Sequence, residues 1–217
     1  MDRMVYIAMT GAREAMQAQA VNSNNLANVS TTGFRQELET FVTRNVEGPG
    51  VDSRAYGIDA GAGFDDQPGD IRATGRDLDV AIQGSGWLSV QGPDGEEAYT
   101  RAGDLRADSN GRLVNGAGHP VLGNGGPIAL PPNEGVAIGD DGTISIKPIG
   151  SDGSTRAQID RLRLVDPPEG SLERGEDGLF RRQDGNAAEL DPDVRVAAGK
   201  LEGSNVDSVG AMVRQLE

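Results

Sequence analysis

The sequence predicts a mainly β chain with an N-terminal α-helix: an antiparallel β domain, a partly closed barrel or sandwich, joined to a terminal helical assembly region. Three observations carry this. The stretch from Arg3 to about Asn28 has no proline, a single glycine at Gly11 and many helix formers. From Asp77 onward, short apolar runs alternate with turn dipeptides. Glycine is abundant, at 32 of 217 residues, and it stands beside Asp and Asn where tight loops between strands need it.

The helix shows two adjoining apolar or small stripes. One runs Met4, Ala8, Gly11, Ala15, Ala18 and the other Val5, Met9, Ala12, Met16, Ala20. Together they cover more than half the circumference, wider than the stripe of about 100° that a surface helix shows to one core. Such a helix wants neighbours on more than one side, and small residues near heptad spacing favour close packing of several helices. Asn22, Asn24, Asn25 and Asn28 crowd its end, where Asn tolerates the left-handed conformation and bonds freed backbone groups. Ser30-Thr31-Thr32-Gly33 then forms a turn before Phe34.

Residues 35–75 carry Pro49, Pro68 and many Gly and Asp residues, and read as an irregular connecting segment with one or two short strands. The β domain spans residues 76–188. Leu78-Asp79-Val80-Ala81-Ile82 alternates with period two, Trp87-Leu88-Ser89-Val90 follows a Gly-Ser-Gly turn, and Ile159 to Val165 reads as one further alternating strand. Turn signals at Asp94-Gly95, Asn110-Gly111, Asn115-Gly116, Asn124-Gly125 and Asp141-Gly142 leave room for one short strand between most of them. Residues 189–217 form a return segment.

Composition narrows the function classes. With 20 basic and 34 acidic residues, the formal net charge is -14, which repels nucleic-acid phosphates and anionic lipid surfaces. Residues 1–34 are locally neutral, since Arg3 and Arg13 offset Asp2 and Glu14. There is no cysteine, so no disulfide or thiolate zinc site forms. No stretch approaches the roughly 18 apolar residues that span a bilayer. The opening lacks the pattern of a cleaved secretory signal, so export would proceed without cleavage.

Residues with chemical potential stand alone. His119, the sole histidine, precedes Pro120 with no elbow serine or helical metal-ligand pair to work with. Gly84-Ser85-Gly86 leads into a strand, not into the helix N-terminus that holds phosphate. Asp104, Asp108 and Asn110 faintly resemble calcium-loop spacing without its terminal Glu, and Glu96 and Glu97 beside Asp94 read as a solvated turn. No catalytic residue, metal site or cofactor is expected.

The run Asn25-Leu26-Ala27-Asn28-Val29-Ser30-Thr31-Thr32-Gly33-Phe34-Arg35 resembles the N-terminal signature of the bacterial flagellar rod and hook proteins. The resemblance continues through Thr74 to Trp87, through Tyr99-Thr100-Arg101-Ala102-Gly103 to Val114, and through Leu201-Glu202-Gly203-Ser204-Asn205-Val206. Within that family, the opening Met1 to Met9 with Gly11-Ala12 looks like the proximal-rod branch, and the distal-rod branch is its near relative. The resemblance implies a structural, non-enzymatic subunit of the basal-body rod that crosses the periplasm and transmits torque. It would be exported by the flagellar type III apparatus, with copies of itself and neighbouring rod proteins as partners. It also implies that N- and C-terminal helices pair in an inner coiled-coil layer with a β domain outside. Here the family's long C-terminal helix is represented only by its start, up to Glu217, as in a truncated chain.

The expected assembly interface is accordingly Met4, Ala8, Gly11, Ala15, Met16 and Ala18 on the helix. Asn25, Leu26, Asn28, Thr32, Gly33 and Phe34 complete it at the signature turn. The competing reading from composition alone is a secreted calcium- or sugar-binding β-domain protein or enzyme, with acidic turns as its site.

Overall fold

A computed structural model of the chain describes residues 2–45, 55–150 and 156–215. They form two compact units, one made of residues 1–30, 35–67 and 205–217, the other of residues 31–34 and 68–204.

The first unit contains helix α1 (Asp2–Ala27), strands β1 (Glu37–Asn45) and β2 (Ala55–Phe64), and helix α2 (Ser208–Arg214). Helix α1 ends where Asn28 N–H donates to the carbonyls of Asn24 and Asn25, both at 3.1 Å, so its last turn tightens instead of continuing. The connecting stretch, for which the sequence suggests only one or two short strands, carries a long antiparallel pair. β1 and β2 run in register from Glu37↔Phe64 to Asn45↔Ala55, with a shift between Glu39 and Phe41. Gly57, Gly61 and Gly63 give β2 the composition of a loop, and its pairing with β1 overrides that local preference.

Asn205 fastens the returning chain to this pair. Its Oδ1 accepts Gln36 N–H at 2.6 Å, and its Nδ2 donates to the carbonyls of Asp65 and Gln67, each at 2.9 Å. Helix α2 starts three residues on, capped by Asp207, whose carboxylate accepts Val209 N–H at 3.1 Å. Its Ala211 is fully buried.

The second unit is β throughout. In chain order its strands are β3 (Ile71–Ala73), β4 (Val80–Gln83), β5 (Trp87–Gln91), β6 (Glu97–Thr100), β7 (Arg106–Ala107), β8 (Leu113–Val114), β9 (Leu122–Gly123) and β10 (Gly126–Pro127). Then follow β11 (Asn133–Ile138), β12 (Thr143–Pro148), β13 (Ala157–Arg161), β14 (Leu164–Val165), β15 (Leu172–Arg174), β16 (Phe180–Arg182), β17 (Arg195–Ala198) and β18 (Lys200–Glu202). A five-stranded antiparallel sheet in the order β14-β5-β6-β16-β15 and a three-stranded meander β11-β12-β13 supply the main layers. Four two-stranded pairs complete the unit, among them β17 with β4 and β18 with β3. Among the described residues no closed barrel forms; the arrangement is partly sandwich-like, with Val80, Leu88, Val90, Leu113, Ile144 and Leu164 in one continuous core.

Two strand readings are corrected by the structure. The run Ile159 to Val165, expected as one strand, is divided: β13 ends at Arg161 in the meander, and β14 begins at Leu164 in the five-stranded sheet. At the switch Leu162 N–H bonds Gly142, Arg163 N–H bonds Leu122, and both Leu162 and Leu164 enter the core. A corner between sheets keeps the apolar alternation of a single strand, so the pattern alone does not reveal it. The alternation of Leu78 to Ile82 likewise fails to give an outer face, because Asp79, Val80, Ala81 and Ile82 are all buried. Asp79 is tolerated there because Arg76 reaches it at 3.1 Å.

Candidate assembly site

The residues expected at the assembly interface fall in both units, and each unit positions its own set. In the first unit, the side of α1 that packs on its own chain is narrow among the described side chains, from Met9 onward. Ala18, Val21, Asn22 and Asn25, spaced as one helix face, line a groove of about 220 Å³ with Gln36, Glu37, Leu38 and Arg214. Asn22 Nδ2 donates to the carbonyl of Ala211 in α2 at 2.8 Å. Asn25, 3% exposed, uses both ends of its amide on one residue: Oδ1 accepts Glu37 N–H at 2.8 Å, and Nδ2 donates to Glu37 C=O at 2.9 Å. It thereby stands in for a strand partner at the first residue of β1. Asn25→Ala should remove two hydrogen bonds to half-buried backbone groups of Glu37 and cost about 1–3 kcal/mol, read as a lower midpoint for loss of helical circular dichroism.

Many of the other described side chains of α1 are exposed. Gly11, Ala12, Ala15 and Ala20 are exposed, and Met9 and Met16 are 63% and 72% exposed. On α2, Val209, Met212 and Val213 stand out in the same way, at 69%, 54% and 51%. Among the described residues, six of the eight exposed large apolar side chains belong to this one unit, Leu38 being the sixth. Met4 and Ala8 lie on α1, and their side-chain environment falls outside the described residues. Ala18 is half-buried at the groove, Leu26 is half-buried, and Asn28 turns back to bond the carbonyl of Asn24 at 3.0 Å.

Thr32, Gly33 and Phe34 belong to the β unit, and there they meet a cluster that the sequence does not single out. Gly33 adopts φ +64°, and its N–H donates to the carbonyl of Glu202 at 2.9 Å. Phe34 is 6% exposed, with the Arg174 guanidinium 4.4 Å from its ring centre. Glu202 is fully buried; its Oε2 pairs with Arg101 at 3.1 Å and its Oε1 accepts Gly69 N–H at 3.0 Å. Arg101 also donates to the carbonyl of Gly84 at 2.8 Å and lies 5.6 Å from the centre of the Trp87 ring. Gly69 packs so closely on Gly203 that a Cβ there would fall 2.3 Å from its carbonyl oxygen.

The position of this cluster along the chain gives it meaning. The backbone enters or leaves the β unit after residues 30, 34, 67 and 204. Gly33, Gly69 and Glu202 each lie within two residues of such a passage, and Arg101 ties them from inside the unit. Arg101 and Glu202 stand in two of the sequence blocks that carry the family resemblance, but their separation of 101 residues hides the pairing.

Groups weighed for chemistry are otherwise engaged. The Asp108 carboxylate accepts the N–H groups of Asn110 and Arg112, both at 2.8 Å, and pairs with the Arg112 guanidinium. The Arg112 backbone bond first, then its side chain and the Asn110 N–H, hold that carboxyl below the usual range against a smaller cost of burial. Glu97 accepts from Ser89 at 3.0 Å and pairs with Arg163 at 2.9 Å. His119 N–H donates to Asn115 Oδ1 in a turn. A concavity of about 330 Å³ beside Glu96 and Glu97 also presents Arg181 and Arg182, which are paired with Asp94, Asp177 and Asp184. Among the described residues no three His, Asp or Glu side chains are placed to share a metal ion.

A long helix with exposed apolar side chains, a β unit and acidic turns engaged within the chain fit a structural subunit of a larger assembly. Residues 5–35 match the family described as flagella basal body rod protein, and residues 81–146 match the D1 domain of the flagellar hook proteins FlgE/F/G. The chain is 43% identical to the flagellar basal-body rod protein FlgF of Escherichia coli over 98% of its own length and 86% of that protein's. It is 32% identical to FlgF of Caulobacter vibrioides over 100% and 88%. Against FlgG of Bacillus subtilis it is 35% identical over 71% of this chain and 63% of the relative. The chain belongs to the flagellar basal-body rod protein family and is most like its FlgF members. It is a structural subunit of the rod.

Proposed function

We propose that this subunit builds the proximal part of the rod, with the exposed sides of α1 and α2 packed against helices of other copies and of neighbouring rod proteins. The observation that carries this is the concentration, among the described residues, of exposed apolar side chains in the helical unit. In water these side chains gain from being covered, at roughly 25 cal/mol per Å² of apolar surface. The β unit then sets subunit spacing and transmits torque through many contacts at once, with no catalytic residue. The chain reaches the periplasm through the flagellar export apparatus without cleavage of a signal. In this reading residues 1–34 start the assembly region, and Gly33 and Phe34 serve it indirectly by fixing the chain where it leaves the helix.

Ala15→Glu tests the reading, because Ala15 is exposed in the single chain. The isolated variant should keep its stability within about 0.5 kcal/mol, as surface changes do. Rod assembly and motility should be lost, since the carboxylate would be buried between helices. Normal motility with this variant would refute the proposed packing. Leu26→Glu should also block assembly, with an added folding cost because Leu26 is half-buried.

A further inference from the structure

The sequence contains three Asn–Gly bonds, at Asn110-Gly111, Asn115-Gly116 and Asn124-Gly125. An Asn–Gly bond is prone to cyclise, because glycine has no Cβ to hinder its own backbone nitrogen as a nucleophile. The structure separates the three. Asn115 is 1% exposed, and its Oδ1 is held by His119 N–H at 2.9 Å, which pins the side chain. Asn110 is exposed, but the nitrogen that would attack it, Gly111 N–H, donates to the carbonyl of Asp108 at 3.0 Å. Asn124 and Gly125 form the exposed turn between β9 and β10. Among the described residues, neither the Asn124 side-chain amide nor the Gly125 N–H makes a hydrogen bond.

We propose that Asn124 is a site of spontaneous covalent modification, deamidating through a succinimide. The Gly125 nitrogen gives its proton to solvent base and attacks Asn124 Cγ. A Cγ–N bond forms, the Cγ–Nδ2 bond breaks, and the amide nitrogen leaves as ammonia. Water then opens the five-membered ring at one of its two carbonyl carbons, leaving aspartate or isoaspartate at position 124. Either product places a carboxylate beside Asp160, whose Oδ1 accepts Asn124 N–H at 3.2 Å. Isoaspartate also adds a main-chain carbon to a two-residue turn that fixes the Gly123↔Gly126 pairing. The modification therefore loosens the hairpin that covers this part of the β unit.

The test is peptide mapping by mass spectrometry of the full chain, incubated folded at mildly alkaline pH and, separately, in concentrated urea. In the folded chain Asn124 should convert about tenfold faster than Asn110, the penalty for first freeing a hydrogen-bonded nitrogen, and faster still than Asn115. In urea the three rates should converge. Gly125→Ala should slow conversion at position 124 without unfolding the chain, because a Cβ at Gly125 meets no atom within 4 Å. Equal or faster conversion at Asn110 or Asn115 in the folded chain, or no slowing by Gly125→Ala, would overturn the proposal.

Discussion

Gly33→Ala is expected to destabilise the β unit by several kcal/mol. The new Cβ would lie 2.2 Å from the carbonyl carbon of Arg101, 2.4 Å from its oxygen and 2.5 Å from the nitrogen of Ala102. All three are backbone atoms, so no side chain can rotate away. The residue also holds φ +64°, a conformation that costs an L-residue about 1–2 kcal/mol by itself. Clash and strain together should remove roughly 3–5 kcal/mol, read as a lower urea midpoint for the full chain. Gly75→Ala is the control. Gly75 has φ +74° but no atom within 4 Å of its Cβ position, so it should show the strain without the clash. Equal shifts for the two variants would mean that the close approach to Arg101 is unimportant.

The second large effect concerns the ion pair that this turn sits on. Arg101→Met removes the cation from a fully buried Glu202 and should cost about 3–5 kcal/mol, because a lone carboxylate is left out of water. Part of the loss comes from Arg101 leaving the face of Trp87, worth about 0.5–1 kcal/mol. Glu202→Gln keeps the acceptor for Gly69 N–H and removes the charge, so alone it should be milder than Arg101→Met. Made together, the two substitutions should be less damaging than the sum of the singles by about 1–3 kcal/mol. A double-mutant cycle from urea unfolding measures that coupling. Strict additivity would show that the two side chains do not act as a pair.

These expectations rest on features that differ in how far the sequence exposes them. Helix α1 is legible because its signals are local: no proline, one glycine and a crowd of Asn side chains near its end at Ala27. The β character of residues 76–188 is legible from turn chemistry. Asp94 and Asp141 each accept backbone N–H bonds two residues on, and Gly95 and Gly142 supply the positive φ that follows. Long-range pairings are another matter. Nothing local reveals that β2 pairs with β1 despite its glycines, or that Leu162 turns a corner between sheets. The Asn side chains near the end of α1 were legible as a polar cluster, but not their division of labour. Asn22 reaches α2, Asn25 completes the edge of β1, and Asn28 closes the helix. The Arg101–Glu202 pair was hidden for the same reason, since only the fold brings together charges 101 residues apart.

The resemblance pointed to the right family, and the structure adds a physical distinction within the signature run. Asn25 is spent on the helical unit, while Gly33 and Phe34 are spent on the β unit. A run that reads as one motif therefore serves two folding units in turn. Its residues differ accordingly: an amide that replaces a strand partner, then a glycine that admits a backbone at close range. Exposed side chains of the helical unit lie elsewhere, on Met9, Ala15 and Met16 of α1 and on Val209, Met212 and Val213 of α2.

A density map of the intact basal body, resolving side chains in the rod, tests the central claim most directly. The account predicts that Met9, Ala15 and Met16 of each copy are covered by helices of neighbouring subunits. Finding those three side chains facing solvent in the assembled rod would contradict it.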